Sequence, residues 1–144
     1  MTDRQQLEEI LRRGRELHLA MQDGDRPYLL PLNYGYADGC LYFHCARQGK
    51  KIDCLRANSH VAFSVSEIVQ RIEGDLPCQW STRFRSVVGN GTAEIIDERE
   101  EKIAGYDIIM RQFGGPVGSY KEKNLDASLI VKISIDTMTG KQSL

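Results

Sequence analysis

The sequence predicts an α+β protein, a predominantly antiparallel six-stranded β-barrel with short flanking helices. About six segments have the alternation or the β-branched composition of strands. Only short helical segments separate most of them, whereas parallel strands need a crossover of about a dozen residues or more after each strand. The 144 residues suit a single domain, 1–144, because a chain of this length can bury a core of its own.

The first predicted elements are a helix and a strand with one buried face. Thr2 or Asp3 can cap a helix whose apolar residues follow helical spacing, and Gly14 stands where this helix would end. The period then changes to two over residues 17–21, which predicts a strand. An Asp-Gly-Asp sequence at 23–25 supplies the turn that follows.

Two further strands are predicted on either side of a turn at 37–39. The second strand covers residues 28–36, and the third covers 40–44. Pro31 in the second strand cannot donate a hydrogen bond to a sheet ladder. We therefore expect this strand at a sheet edge or at a bulge, or with its backbone facing something other than a partner strand.

The middle of the chain predicts a short helix and two strands around a loop. Gly49 precedes a helix over 50–57, and a β-branched run predicts a strand over 61–65. Residues 67–79 lack a period and are expected to form a loop that could cover a site. The long strand-like segment 80–96 contains two glycines, which suggests a bend or a bulge in a curved sheet.

The last third predicts a helix followed by a strand. Asp97 and Glu100 form a capping box for a helix that runs to residue 113. The apolar residues that share one face of this helix are Ile103, Tyr106, Met110 and Phe113. A final strand over 128–135 alternates apolar and polar residues before a polar tail.

Composition and charge exclude several classes of partner. The net charge is −1, and the 19 basic and 20 acidic residues are interspersed, so no basic surface for nucleic acid is expected. The N-terminus is polar, and no apolar run approaches the roughly 20 residues of a membrane-spanning helix. We therefore expect a cytoplasmic protein that binds neither nucleic acid nor a membrane.

The four cysteines favour neither a disulfide framework nor a metal site. None of them forms a Cys-x-x-Cys pair, and no histidine lies at zinc-finger spacing. We expect reduced thiols, mostly buried, that pack as small hydrophobic side chains, and no bound metal.

A possible anion site follows the third strand. Gly49, Lys50 and Lys51 begin a helix, whose free N–H groups and positive dipole end attract an anion such as a phosphate. Two lysines at the start of a surface helix can equally be solvated side chains with no ligand. The motif alone does not separate these two interpretations.

Several spaced motifs in one order extend over nearly the whole chain. They are PYLLPLNYGY at 27–36, LYFH at 41–44, GKKID at 49–53, Asn58 before Val61, CQWS at 78–81, RSVVGNG at 85–91 and TGK at 139–141. This series resembles the pyridoxamine 5′-phosphate oxidase-like FMN-binding split barrels. Within them it is most similar to the nitroimidazole-resistance (Nim) branch.

The resemblance implies an FMN site and a homodimer. The residues it places at the cofactor are Pro31, Leu32, Asn33, His44, Cys45, Lys50, Lys51 and Ser86. By this resemblance the flavin ring lies near 31–33, the two lysines take the phosphate, and Ser86 faces the cofactor near a subunit interface. Cys45 stands where the branch commonly has glycine. A second subunit is expected to cover the flavin ring, which so small a barrel would leave partly exposed.

His44 is the histidine with a case for a catalytic role. It ends a strand five residues before Gly49, so it could donate a hydrogen bond to a bound molecule or relay a proton. The alternative is a histidine that only packs. His18 and His60 are interpreted as surface residues, and Trp80 as packing in the barrel, with stacking near the flavin as its alternative.

Two functions are consistent with these features. The first is an FMN-binding oxidoreductase that transfers electrons from a reduced nicotinamide or another donor to a small organic acceptor, with nitro-aromatic compounds among the candidates. The second is a non-catalytic protein on the same scaffold that binds a flavin, a deazaflavin or haem, with His44 as a candidate haem ligand. Absorption spectra distinguish the bound groups.

Overall fold

Seven strands form one sheet in the computed structural model, which describes residues 1–144. Their bounds are β1 Glu16–Asp23, β2 Arg26–Asn33, β3 Gly35–Ala37, β4 Cys40–Ala46, β5 His60–Ile72, β6 Ser81–Ile96 and β7 Ser128–Ser143. Neighbouring strands are antiparallel in the order β2-β1-β5-β6-β7-β4-β3. The edge strands β2 and β3 are consecutive in the chain and only Tyr34 separates them, so the sheet curls until its ends meet. The predicted antiparallel α+β barrel is confirmed.

Four helices and one short 3₁₀ turn flank the sheet. They are α1 Arg4–Arg13, α2 Lys50–Ala57, the 3₁₀ turn Pro77–Gln79, α3 Arg99–Phe113 and α4 Glu122–Asp126. Of the two predicted caps for α1, Asp3 is the one that forms, because its carboxylate accepts from the Gln5 N–H at 2.9 Å. Gly14 ends the helix as predicted.

The core lies inside the barrel, where every second strand residue points. In β1 the inward residues are Leu17, Leu19 and Met21, and the residues between them face outward. They belong to a cluster of 21 buried residues to which α1 contributes Leu7, Ile10 and Leu11. Pro31 lies on the edge strand β2, as its missing donor predicts.

Helix α3 covers the outer face of β3, β4 and β7. Two glycines permit this close contact: a Cβ on Gly35 would lie 2.7 Å from the Ile108 carbonyl oxygen, and one on Gly105 would lie 2.8 Å from Cγ2 of Ile130. A second buried cluster fills the contact and consists of Ile96, Ile109 and Ile130.

Gln112 joins α3 to the end of α1. Its Nε2 donates to the carbonyl oxygens of Leu11, Arg12 and Gly14 at 2.8, 2.9 and 2.6 Å, and its Oε1 accepts from the Tyr36 N–H at 3.2 Å. Burial of this amide is tolerated because all of its groups are paired.

The strand count differs from the prediction of six because the segment 28–36 divides into β2 and β3. Tyr34 breaks the ladder by turning its side chain into the core, where its hydroxyl donates to the Leu11 carbonyl oxygen at 2.6 Å. The chain therefore passes from one edge of the sheet to the other at this residue.

Two predicted boundaries are also wrong. The first part of the expected loop 67–79 is strand, because β5 continues to Ile72 and pairs with the start of β6, while residues 73–79 lie outside the strands. The expected polar tail after 135 is strand as well, since β7 continues to Ser143 along β6. Backbone pairing holds both segments although their side chains are mostly exposed, so they have no hydrophobic period to detect.

Helix α3 departs from prediction at its cap and at its buried face. Glu98 is the cap, with its carboxylate accepting from the N–H groups of residues 100 and 101, while Asp97 pairs with Arg47 and Lys102. The buried residues are Lys102, Gly105, Ile109 and Gln112, not the predicted apolar set. The two polar side chains are buried because backbone carbonyls receive their hydrogen bonds.

The cysteines and Trp80 are less buried than predicted. All four cysteines are free, but only Cys45 and Cys54 are buried, with Cys78 exposed. Trp80 does not pack in the barrel: it is 57% exposed after the 3₁₀ turn, where its indole N–H donates to the Gly74 carbonyl oxygen at 2.9 Å.

Candidate functional site

The N-terminus of α2 is open to an anion. Gly49 precedes it with a φ of 139°, a conformation that favours glycine, and no side chain caps the helix. The Lys50 ammonium lies 4.4 Å from the centre of the Tyr28 ring and 3.0 Å from Oδ2 of Asp23. The hydrogen bond from Lys50 to Asp23 raises the pKa of this lysine. A phosphate at this position would have to compete with the Asp23 carboxylate.

Lys51 follows Lys50 in the first turn of α2. Its Nζ is 5.6 Å from the centre of the Phe43 ring. Burial and, to a smaller extent, the charge of Lys51 lower the pKa of His44. Burial raises the pKa of the Cys45 thiol, and Lys51 opposes that shift. His44, Cys45 and Lys51 are therefore neighbours where β4 leads into α2.

His44 points outward toward α3. Its ring centre is 5.5 Å from that of Tyr106, which in turn lies 5.2 Å from the ring of Tyr120. Tyr106 is fixed by a hydrogen bond of 2.6 Å with the Ser128 hydroxyl, and Tyr120 donates to Asp107 at 2.7 Å. The His44 ring is thus held by an anchored aromatic row on the surface of the barrel.

An open groove of about 520 Å³ lies on the outer face of β1, β2, β5, β6 and β7. Its lining includes His18, Ala20, Leu29, Ala62, Val88 and Asn90. The register explains this set, because outward residues of adjacent strands stand side by side across the sheet. The side chains are mostly small or apolar, which leaves a shallow surface that suits a flat ring.

Two further cavities connect the groove to α2. A middle cavity of about 380 Å³ shares Ala20, Ala62 and Asn90 with the groove. A third cavity of about 370 Å³, the α2 cavity, shares Gln22 with the middle one and is lined by Gly49 and Lys50. Because neighbouring cavities share lining residues, we call the three together the trough, which leads from an apolar surface to the N-terminus of a helix.

Pro31, Asn33 and Ser86 belong to the same outer face as the groove. Pro31 pairs with His18 in the sheet register, and Asn33 pairs with Glu16. Ser86 alternates with the buried Val87 and so faces outward. Leu32 and Cys45 point the other way, and their side chains pack in or against the core.

Comparison of the sequence with models of protein families identifies the family of this chain. A family model described as pyridoxamine 5′-phosphate oxidase matches residues 3–142. The chain belongs to this family. The match extends over almost the whole sequence, so it includes both the trough and the start of α2.

Solved structures agree with this assignment. The chain is 30% identical to a candidate 5-nitroimidazole antibiotic resistance protein from Bacteroides thetaiotaomicron, with a TM-score of 0.86 over 97% of this chain and 84% of that one. The FAD and haem binding protein from Mycobacterium smegmatis is 23% identical, with a TM-score of 0.83 over 99% and 72%. The flavocytochrome Anf3 from Azotobacter vinelandii is 18% identical, with a TM-score of 0.79 over 100% and 69%. The last two likenesses show the fold alone.

No curated protein matches the sequence. None of the helices combines the length and the apolar character that crossing a membrane requires.

In this member of the pyridoxamine 5′-phosphate oxidase family, seven of the eight predicted site residues form two groups, and Leu32 packs against the core. One group, His44, Cys45, Lys50 and Lys51, surrounds the start of α2, and of these only Lys50 lines the trough. The other group, Pro31, Asn33 and Ser86, lies on the outer face beside the groove. A single chain does not bring His44 into the groove, and its contact with a cofactor stays a prediction.

The sequence patterns do not predict the groove. His18 faces outward from its strand, as the alternation predicts, and it lies in the lining of the groove. Its neighbours Pro31 and Ser64 come from two other strands. The alternation in β1 indicates which way His18 points, whereas only the strand order shows what stands beside it.

Proposed function

We propose that this chain is an FMN-dependent oxidoreductase that works as a homodimer and reduces a small organic acceptor, with nitro-aromatic compounds as the first class to test. The observation that carries the proposal is the trough, whose three adjoining cavities lead from an apolar face to a cationic helix N-terminus. Membership of the pyridoxamine 5′-phosphate oxidase family and the likeness to the Bacteroides protein support it.

The residues of the trough suit the parts of a flavin nucleotide. The groove offers small and apolar side chains to a flat conjugated ring. The middle cavity offers Asn58, His60 and Asp136 to hydroxyl groups. Lys50 and the uncapped N–H groups of α2 offer positive charge to a phosphate. Along the trough the lining changes from apolar to polar to cationic, which is the order of the ring, the ribityl chain and the phosphate in FMN. This order determines the orientation in which FMN would bind.

Bound FMN would supply the electron transfer, and this chain would supply position and electrostatics. Lys50 and Lys51 would bind the phosphate. The backbone and outward side chains of 31–33 and Ser86 would border the ring, and His44 would donate or receive a proton at the acceptor. The sequence has no glycine-rich dinucleotide-binding motif, so a reduced nicotinamide would dock on the flavin and leave again.

A second copy of the chain would complete the site. Leu29 and Val88 on the outer face are 63% and 51% exposed, although both are large and apolar. Two copies related by a twofold axis would cover these residues and the open side of both grooves together.

The alternative is a non-catalytic binding protein for a flavin, a deazaflavin or haem. His44 favours this alternative, because its ring is held at the surface against Tyr106 rather than in the groove. Neighbours of the same fold include a protein described as binding FAD and haem and one described as an F420 reductase. Fold alone does not choose between catalysis and binding.

Titration of the purified protein with FMN, FAD, a deazaflavin and haem, followed by assay on a panel of nitro-aromatic acceptors, tests the proposal. We expect saturable binding of FMN and reduction of at least one acceptor with a reduced nicotinamide as donor. Haem binding without turnover would favour the alternative. Failure to bind any of the four would refute both.

A further inference from the structure

His18 is the titratable residue in the lining of the groove. The other lining residues are aliphatic, aromatic, thioether, amide or hydroxyl side chains and one glycine. Histidine is the side chain whose charge ordinarily changes between about pH 5 and 8.

The position of His18 is fixed by the sheet. It lies in β1, which pairs with β2 on one side and β5 on the other, so Pro31 and Ser64 stand directly beside it. These two neighbours carry no charge. The charged group that faces His18 is Glu16, whose Oε1 lies 4.0 Å from Nε2, and the two side chains are 47% and 59% exposed. The imidazole thus remains accessible to a molecule in the groove.

The other two histidines lie elsewhere. His44 packs against Tyr106 on the face that α3 covers, and His60 lines the middle cavity. Only His18 lies at the end of the trough that suits a conjugated ring.

We propose that His18 contacts the ring held in the groove and that its positive charge stabilises negative charge on that ring. This rests on the proposed binding of FMN. Two-electron reduction of a flavin with uptake of one proton leaves its ring with a negative charge, and a protein tunes the cofactor by the charges it places near the ring. An imidazolium in the groove therefore strengthens binding of the reduced form relative to the oxidised form.

The test compares wild-type protein with His18→Gln, His18→Arg and the control Lys123→Gln in α4. FMN affinity is measured by fluorescence titration, and the midpoint potential of the bound flavin is measured against reference dyes between about pH 6 and 8. His18→Gln should bind oxidised FMN within a few-fold of wild type. Its preference for the reduced form should fall about tenfold, which lowers the potential by about 30 mV for a two-electron couple.

The two remaining variants make the result specific. His18→Arg keeps a positive charge at all these pH values, so its potential should not fall below that of wild type. Lys123→Gln, which removes a positive charge in α4, should keep the wild-type potential. An unchanged potential in His18→Gln, or the same shift in Lys123→Gln, overturns the proposal while FMN binding stands. If wild-type protein binds no FMN, the proposed function fails and this inference fails with it.

Discussion

Two sectors of the same sheet differ in what covers their outer face. On β3, β4 and β7 the outward residues lie under α3, and Gly35 and Gly105 bring that helix close to the strands. On β1, β2, β5 and β6 the outward residues form the open groove, with Leu29 and Val88 exposed. The difference shows where the chain completes its own structure and where it leaves a surface for another molecule.

The covered sector should be the less tolerant of added volume. Gly35→Val should destabilise the fold by about 3 kcal/mol, because its side chain would collide with the backbone of α3 at Ile108. Ala62→Val, the matched change in the groove, should alter stability by less than about 0.5 kcal/mol. Urea denaturation of both variants measures this, and equal losses would contradict the distinction between the two sectors.

In the open sector, loss of positive charge should weaken FMN binding rather than destabilise the fold. Lys50→Ala combined with Lys51→Ala should weaken FMN binding at least tenfold, or about 1.4 kcal/mol, because two cations that face a phosphate are removed. Lys50→Ala alone should account for more of the loss than Lys51→Ala, since Lys50 lines the α2 cavity.

The control for this charge loss is the pair Lys121→Ala and Lys123→Ala beside α4, far from α2 in the chain. It removes the same charge and should leave the FMN dissociation constant within twofold. If the control weakens FMN binding as much as the loss of Lys50 and Lys51 does, the weakening reflects the overall charge of the protein and not a phosphate site at α2.

A smaller effect in the opposite direction is expected at Asp23. Asp23→Asn releases Lys50 from its ion pair and removes a negative charge beside the phosphate end of the trough. FMN binding should become about threefold tighter, a gain in the range of an exposed ion pair. Asp25→Asn in the same turn is the control and should change little. Isothermal titration that finds weaker binding in Asp23→Asn would place the phosphate elsewhere.

The smallest predicted effect concerns acid stability near α3. Arg47 and Lys102 lower the pKa of Asp97 from its usual value of 3.8 to about 2. Because the folded pKa is depressed, the stabilisation is present above the unfolded value and is lost as the pH falls through about 2. Asp97→Asn should therefore lower the melting temperature at neutral pH, and the gap from wild type should narrow between about pH 4 and 2. A gap that stays constant over this interval would contradict the role of Asp97.

The sequence predicted the antiparallel barrel because alternation in β1 and β4 and the turn at 37–39 are local signals. It did not predict the length of β5 and β7, whose ends are held by backbone pairing without a buried face. It placed the apolar stripe of α3 wrongly because Lys102 and Gln112 are buried by hydrogen bonds to distant carbonyls.

The candidate site also has one part that the sequence predicts and one part that it does not. Gly49 and Lys50 form a local motif, and the structure places both in the α2 cavity. His18 joins Pro31 and Ser64 only through strand register, which the sequence does not show. The spaced motifs predict the family, whereas the groove is visible only from the strand order.

Sedimentation velocity of the FMN-loaded protein tests most directly whether the open sector binds a flavin between two copies. Detection in the ultraviolet follows the protein, and detection in the blue follows the flavin. The account predicts one boundary at twice the mass of the chain that carries both signals, with one flavin per chain. A boundary at the mass of a single chain that carries the flavin, or a dimer without flavin absorbance, would contradict it.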